Sequence, residues 1–198
     1  MFWDHVAGVY DIFANFINRK THRVLREKVS GLIDQEDDVL ECACGTGLLS
    51  TVIAPRCHSL IATDFSPNML KQTVKKCRAY GNVKVEKADI LHLNFTDQSF
   101  DKVVAGNVLH LLDEPYTALS ELARVCKHGG KLIIPTYFCK FGIGNLLRKC
   151  NAQKEKGVPV IDIFKYKLCN VFSDRSMYMM PRCGNKLLTA NEDMNQFI

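Results

Sequence analysis

Three carboxylates and a pair of glycines in the first half of the chain have the types and spacing of a ligand-binding site. Glu41 stands just before Gly45-Thr46-Gly47, while Asp64 and Asp89 each follow an apolar run. Glycine lets the backbone turn tightly and lets a ligand approach where a Cβ would block it. A carboxylate can accept both hydroxyls of a ribose, and it can also receive an adenine amino group. A plain structural turn and a helix-capping or solvated aspartate are the alternative interpretations.

His110 is the best-placed candidate for proton transfer. It follows a further apolar run, close behind Asn107 and Val108. The unperturbed pKa of histidine lies near neutrality, which suits a general base. A hydrogen-bonded scaffold histidine is the alternative.

The dinucleotide-binding fingerprint is incomplete in this sequence. Gly45 and Gly47 would be its first two glycines, but the third position is occupied by Ser50. That third glycine permits close packing of helix and strand beside a bound pyrophosphate. The sequence therefore disfavours a nicotinamide-dependent dehydrogenase.

Short apolar segments alternate with helical patterns and place the candidate residues at strand ends. Ser66-Pro67 supplies an N-cap and a first-turn proline for a helix to about Tyr80, and a second helix is predicted over Glu114–Lys127, stopped by Gly129-Gly130. This alternation indicates one doubly wound α/β domain with a mostly parallel sheet, whose ligand crevice lies at the carboxyl ends of the strands. The predicted strands are Val39–Cys42, Ser59–Thr63, Val83–Ala88, Lys102–Val108 and Lys131–Tyr137.

The chain is predicted to divide into three parts of that one domain. Residues 1–35 form an N-terminal helical cover, residues 36–138 form the core, and residues 139–198 form a divergent or incomplete C-terminal segment. Residues 158–168 are predicted as one strand or helix, and no clean alternating strand follows Asn170. An incomplete sheet would leave the fifth strand with an exposed edge.

Composition excludes several classes of protein. The 198 residues are 47% hydrophobic and 24% charged, which is ordinary globular usage and excludes a disordered or collagen-like chain. Nine scattered cysteines without a CxxC pair indicate neither a disulfide framework nor a zinc site. Residues 1–17 lack a signal-peptide pattern, and no apolar run is long enough to span a membrane, so a cytoplasmic location is expected. The net charge of +5 lies in residues 139–198, where the basic residues occur singly or in pairs, a pattern that does not indicate a nucleic-acid partner.

Five segments occur in a recognisable order along the sequence: Glu41–Gly47, Thr63–Met69, Ala88–Ile90, Phe100–Val104 and Val125–Lys131. Together they resemble the class I S-adenosylmethionine-dependent methyltransferases, and more closely the small-molecule branch with the ubiquinone- and menaquinone-biosynthesis enzymes. The resemblance covers about residues 1–138 and implies a Rossmann-like fold, with S-adenosylmethionine as cofactor and S-adenosylhomocysteine as product. One departure is Ala43, where the family often has glycine.

The resemblance also implies a role for each matching residue. Glu41 would lie near the methionine amino group, Gly45 and Gly47 would pass under the cofactor, and Asp64 would hold the ribose. The other implied cofactor-binding residues are Phe65 and Met69 on the adenine side, Asp89 and the Ile90 backbone N–H at the adenine edge, Asn107 and Val108 at the methionine end, and Tyr10 in the N-terminal cover.

Methyl transfer to a small-molecule acceptor by in-line displacement is the expected activity. The protein would mainly align the reactants and exclude water, with a general base only if the acceptor must lose a proton. An S-adenosylmethionine- or S-adenosylhomocysteine-binding protein without turnover, acting through a partner, is the alternative that the divergent C-terminal segment raises. A nucleic-acid methyltransferase is disfavoured because Asn107–His110 is not an Asn/Asp-Pro-Pro-Tyr-type motif for a flipped base. The sequence does not indicate the acceptor or the oligomeric state.

Overall fold

The computed structural model of the chain describes residues 22–136 and 160–165, with side chains described for residues 22–135. Its first described element is the helix α1, residues 22–30. Leu25 and Val29 lie four residues apart on one face of α1, and both are buried against the sheet together with Ile33. This spacing places their side chains on the same side of a helix.

The core of the molecule is a sheet in which every described strand pair is parallel. The strand order is β3-β2-β1-β4-β5-β6. The chain runs outward from β1 to β3 and then returns to β4 on the other side of β1, so the topological switch point lies between β1 and β4. The predicted doubly wound, mostly parallel α/β fold is therefore confirmed. The strands are β1 Asp38–Cys42, β2 Ser59–Asp64, β3 Val83–Lys87, β4 Phe100–Ala105, β5 Cys126–Thr136 and β6 Val160–Lys165.

The helix predicted to begin at Ser66-Pro67 does begin there, but it ends earlier than the sequence predicts. The Ser66 hydroxyl accepts a hydrogen bond from the Met69 backbone N–H at 3.3 Å, and Pro67 occupies the first helical turn. The helix ends at Cys77 rather than near Tyr80. The elements between the strands are α2 Ser50–Ile53, a 3₁₀ turn Ala54–Arg56, α3 Pro67–Cys77, a 3₁₀ turn Leu109–Leu111, and α4 Pro115–Val125.

The predicted boundary at Gly129-Gly130 is wrong, because these glycines lie inside β5. The helix ends at Val125, and the strand begins with the next residue. Gly129 has a φ of +77°, and a Cβ on Gly130 would lie 2.7 Å from the carbonyl oxygen of Asp101. The pairing of β4 with β5 shifts register at this position. The two glycines therefore form a bulge and do not end the element.

The predicted end of β4 is also corrected. The strand ends at Ala105 instead of Val108, and Asn107 adopts a φ of +55°. The Asn107 backbone N–H donates to the Pro135 carbonyl at 2.9 Å. The strand therefore ends before this left-handed residue, and a 3₁₀ turn begins at Leu109.

Buried side chains cover both faces of the sheet. Val39 and Leu40 are adjacent in β1 but belong to two different core clusters, as expected for neighbouring residues in a strand. One cluster contains Val29 of α1, and the other contains Leu122 of α4. The predicted sheet with helices on both faces is confirmed.

The fifth strand is covered on its outer side. β6 pairs with it in parallel, from Lys131 opposite Val160 to Thr136 opposite Lys165. The exposed edge that an incomplete sheet would leave on the fifth strand is therefore absent from the described residues, and residues 158–168, predicted as one strand or helix, contain the strand β6. Residues beyond Asn170 lie outside the described residues. Within the described part of the chain, no helix has the length and apolar character needed to cross a membrane.

Candidate cofactor-binding site

A tight loop follows β1 and begins the candidate site. Ala43, Gly45 and Gly47 all have left-handed backbone angles, with φ of +54°, +58° and +82°. The Cys44 backbone N–H donates to the Thr63 carbonyl at 2.9 Å, and the Gly47 N–H donates to the Cys44 carbonyl at 3.0 Å. These bonds hold the loop against the carboxyl end of β2, where the sequence predicts a ligand crevice.

The two glycines of this loop differ in their surroundings. A Cβ on Gly47 would lie 3.2 Å from the Cα of Thr73 in α3, whereas a Cβ on Gly45 would have no heavy atom of another element within 4 Å. The Thr73 hydroxyl donates to the Gly45 carbonyl at 2.9 Å. Gly47 is therefore required by the packing of the protein itself, while Gly45 presents an open backbone surface to a ligand.

Asp64 lies at the end of β2 and joins the loop to α3. One carboxylate oxygen accepts the Gly45 backbone N–H at 2.8 Å, and the other accepts the Ser66 N–H at 2.9 Å. The side chain is half-buried. Since a carboxylate has about four acceptor positions, holding two amides does not by itself prevent it from accepting ribose hydroxyls.

Glu41 lies near the end of β1 and is only 2% exposed. Its carboxyl accepts a hydrogen bond from the Ser50 hydroxyl at 2.5 Å. Burial, and to a smaller extent the negative charge of Asp64, raise the pKa of Glu41 to about 8, while the Ser50 hydrogen bond acts in the opposite direction. This site therefore holds a carboxyl that is mostly protonated at neutral pH when no cation lies beside it.

Ser50 is a site residue that sequence reasoning missed. In the sequence it served only to disfavour a dinucleotide fingerprint, but its side chain is fully buried and bonded to Glu41. The polar pair Ser50-Thr51, between Leu48-Leu49 and Val52-Ile53, was the signal that could have indicated this role.

The predicted adenine side lies along the ends of β2 and β3. Asp89 accepts the Leu91 backbone N–H at 2.9 Å, which fixes its carboxylate on a short turn. Phe65 is 43% exposed, and the Lys87 ammonium lies 4.9 Å from its ring centroid. Met69, by contrast, is 3% exposed and leaves little side-chain surface for a ligand. Contact of these residues with adenine stays a prediction.

Arg124 of α4 positions the segment that follows Asp89. Its guanidinium donates to the carbonyls of Leu93 and Phe95, each at 2.8 Å, and it forms an ion pair with Glu121. The Glu121 carboxylate also accepts the Leu93 backbone N–H at 2.9 Å. This network, which no sequence motif indicated, anchors the β3–β4 connection to the helix layer. Ile90, the predicted backbone donor, lies in that connection and packs partly buried against the core.

The predicted methionine end lies after β4. Asn107 and Val108 are both half-buried and directly precede the 3₁₀ turn that contains His110. Burial lowers the pKa of His110, and its Nδ1 is buried without a hydrogen-bond partner among the described residues. The alternative interpretation of His110 is a scaffold histidine held by a hydrogen bond. Within the described part of the chain, Nδ1 makes no such bond. Tyr10 lies outside the described residues.

Replacing Ala43 with glycine is expected to stabilise the protein. A left-handed conformation costs an L-residue about 1–2 kcal/mol, and the greater unfolded-state entropy of glycine offsets about 0.5–1 kcal/mol of the gain. The net increase in the free energy of unfolding is about 0.5–1 kcal/mol, measured by urea denaturation. The matched variant Ala123→Gly, inside α4, is expected to lose about 1 kcal/mol. Equal losses in both variants would contradict the strain at Ala43.

The fold and this site define the class of protein. A Rossmann-like parallel sheet carries a glycine loop after β1 and an acidic residue at the end of β2, an arrangement similar to that of class I S-adenosylmethionine-dependent methyltransferases. Residues 40–134 match the family described as "Methyltransferase domain". This part of the chain is therefore a methyltransferase domain, and S-adenosylmethionine is the cofactor of its class.

Curated relatives and solved structures agree with this assignment. The chain is 31% identical over 137 residues to the demethylmenaquinone methyltransferase of Staphylococcus carnosus and 32% identical to that of Staphylococcus aureus, an alignment that covers 66% of this chain and 56% of each relative. The chain thus spans about half the length of the curated relatives it matches.

Two solved structures show the same fold at lower sequence identity. A putative S-adenosylmethionine-dependent methyltransferase of Methanococcus maripaludis is 20% identical, with a TM-score of 0.61 over 77% of this chain and 74% of that one. The phosphoethanolamine N-methyltransferase 1 of Haemonchus contortus, in complex with phosphoethanolamine and S-adenosylhomocysteine, is 22% identical, with a TM-score of 0.62 over 71% of this chain and 31% of that one.

Proposed function

We propose that this protein transfers the methyl group of S-adenosylmethionine to a small-molecule acceptor. One observation carries the proposal: the carboxyls of Glu41 and Asp64 flank a single glycine loop at the carboxyl edge of the sheet, beside the topological switch point. Ligands of open α/β sheets bind at this place. The cofactor has a cationic amino-acid end and a ribose, which are the two groups that such carboxyls recognise.

Each part of the site has a proposed role in holding the cofactor. Asp64 accepts the ribose hydroxyls, and Glu41 accepts the α-ammonium group. The open surface of Gly45 lets the cofactor lie against the backbone. At the adenine end the Asp89 carboxylate receives the N6 amino group and Phe65 packs on the ring. Ile90, Asn107, Val108 and Tyr10 keep the roles that the family resemblance implies, whereas the buried Met69 is limited to packing behind the adenine side.

The proposed reaction is an in-line displacement at the transferred methyl group. When bound, S-adenosylmethionine supplies a methyl group on a sulfonium, and the electron pair of the breaking carbon–sulfur bond stays on the sulfur of S-adenosylhomocysteine. The protein holds the acceptor in line and excludes water. Burial lowers the pKa of His110, which favours the neutral imidazole at pH 7. Its Nδ1 is buried and has no hydrogen-bond partner among the described residues, and in the proposed reaction this nitrogen takes the proton of the acceptor.

The first acceptor to test follows from the relatives. They are named demethylmenaquinone methyltransferases. We propose a demethylmenaquinone analogue as the first acceptor, since the chain is 31% and 32% identical to these two relatives over 137 residues. The segments that would cover the acceptor are not among the described residues.

A binding assay run beside an activity assay tests the proposed function. We expect calorimetric titration with S-adenosylhomocysteine to give a micromolar Kd, about −8 kcal/mol, and S-adenosylmethionine with the acceptor to give methylated product. His110→Ala is expected to lower turnover about 10²-fold or more and to leave the Kd for S-adenosylhomocysteine unchanged. A folded chain that does not bind would overturn the proposal. Binding without turnover on a panel of acceptors would support the alternative, a cofactor-binding protein.

A further inference from the structure

The Glu41 carboxyl is a buried acid without a cation. Among the described residues no lysine, arginine or histidine forms an ion pair with it. The charged or titratable groups that face it are Asp64 across the loop and the thiols of Cys42, Cys44 and Cys77, whose pKa values are themselves raised mainly by burial. Nothing in these surroundings stabilises a negative charge except hydrogen bonding, since a buried charge otherwise needs a partner.

Ser50 supplies that hydrogen bond. It is the first residue of α2 and is fully buried, and its hydroxyl lies 2.5 Å from the carboxylate oxygen Oε2. A serine near a helix start commonly bonds to the backbone of its own helix. Here the N-cap position is Leu49, no side chain caps α2, and the hydroxyl points to β1 instead. The short α2 thus fixes the Glu41 carboxyl through this one hydrogen bond.

We propose that Ser50 is a positioning residue that holds the Glu41 carboxyl for the ammonium group of the cofactor, and that the arriving ammonium displaces a proton from this carboxyl into solvent. The inference rests on the proposed function, in which Glu41 meets the amino-acid end of the cofactor. It goes further in that it couples cofactor binding to release of one proton and assigns that coupling to a Ser50–Glu41 pair.

The proton balance follows from the two states of the carboxyl. Without ligand the pKa of Glu41 is raised to about 8 by burial, so most molecules carry the proton at pH 6.5. The ligand's ammonium is also protonated at that pH. A protonated carboxyl cannot form an ion pair with an ammonium, whereas the carboxylate accepts the N–H of the ammonium and also compensates its charge. Binding must then release one proton, and affinity must rise with pH.

Calorimetry in two buffers of different ionisation enthalpy measures this proton directly. For the wild type at pH 6.5 we expect release of about one proton per S-adenosylhomocysteine bound, and affinity that rises by nearly tenfold per pH unit between pH 6 and 7.5. In Glu41→Gln we expect no release and no such slope. Release that persists in Glu41→Gln would assign the proton to the ligand and overturn the inference.

The Ser50 variants separate positioning from a merely structural role. In Ser50→Ala the carboxylate loses its hydrogen bond, so we expect affinity at pH 7 to fall about tenfold and the midpoint of the pH profile to move upward. Ser50→Thr keeps the hydroxyl and is expected to restore both. An equal loss of affinity at every pH, with no shift of the profile, would overturn the role of Ser50.

Failure of the inference and failure of the proposed function give different results. A folded wild-type chain that does not bind S-adenosylhomocysteine would overturn both. Wild-type binding without proton release would overturn only the inference and would leave the proposed function intact.

Discussion

Replacing Asp64 with alanine is expected to weaken S-adenosylhomocysteine binding by about 10- to 150-fold. Hydrogen bonds to a charged group contribute about 1.5–3 kcal/mol, and each 1.4 kcal/mol is a factor of about ten in Kd. Asp64 is the acidic residue at the end of β2, and its two oxygens are fixed by the backbone amides of Gly45 and Ser66. The carboxylate is thus oriented before the ligand arrives, so little of the interaction is spent on ordering the side chain.

The same substitution also removes the acceptor of two backbone N–H groups, so stability must be measured beside affinity. Asp38→Ala is the matched control. Asp38 lies at the opposite end of β1 and accepts the Ser59 hydroxyl at 2.6 Å. It is expected to lose some stability and to keep the wild-type Kd, with circular dichroism used to verify folding. If Asp64→Ala and Asp38→Ala bound the ligand equally well, Asp64 would have no part in the ribose site.

Replacing Gly45 or Gly47 with alanine is expected to have different effects on stability and on cofactor binding. Both positions have a left-handed φ, which costs an L-residue about 1–2 kcal/mol. At Gly47 the new Cβ would also lie 3.2 Å from the Cα of Thr73, where backbone must shift. At Gly45 no heavy atom of another element lies within 4 Å of the new Cβ. Gly47→Ala should therefore lose about 1–3 kcal/mol more stability than Gly45→Ala, by analogy with overpacking of a core.

Binding is expected to follow a different order. We expect Gly45→Ala to stay folded, since its Cβ would meet no heavy atom of another element within 4 Å. Its methyl group would occupy the surface along which the cofactor is proposed to lie, so we expect the affinity for S-adenosylhomocysteine to fall at least about 100-fold. Urea denaturation and calorimetry on both variants measure the two effects. A Gly45→Ala variant that is stable and binds normally would contradict the proposed position of the cofactor.

The substitutions at Asp64 and Gly45 test two different features of the candidate cofactor-binding site. Asp64 reports on the polar recognition of the cofactor, and Gly45 reports on the space that it fills. Because the Gly45 backbone N–H donates to Asp64, the loop geometry and the carboxylate orientation depend on each other. A double variant is therefore expected to lose less affinity than the two single losses combined.

The sequence by itself determined the fold class and the strand ends that carry the site. The alternation of short apolar runs with helical patterns predicted the parallel sheet, and Ser66-Pro67 predicted the start of α3. Glu41 and Asp64 were correctly placed at the ends of the first two strands. These features depend on local periodicity and on capping and turn chemistry, which neighbouring residues specify.

Only the tertiary structure decided the remaining features. Ser50 reaches Glu41 across a loop, Arg124 reaches the carbonyls of Leu93 and Phe95 in a distant segment, and β6 covers the edge of β5. Gly129-Gly130, which resembles a helix stop, forms a bulge because β4 passes so close. Each of these contacts joins residues that are separated along the chain. The sequence specified which groups were available, and packing of the sheet and helices decided which of them meet.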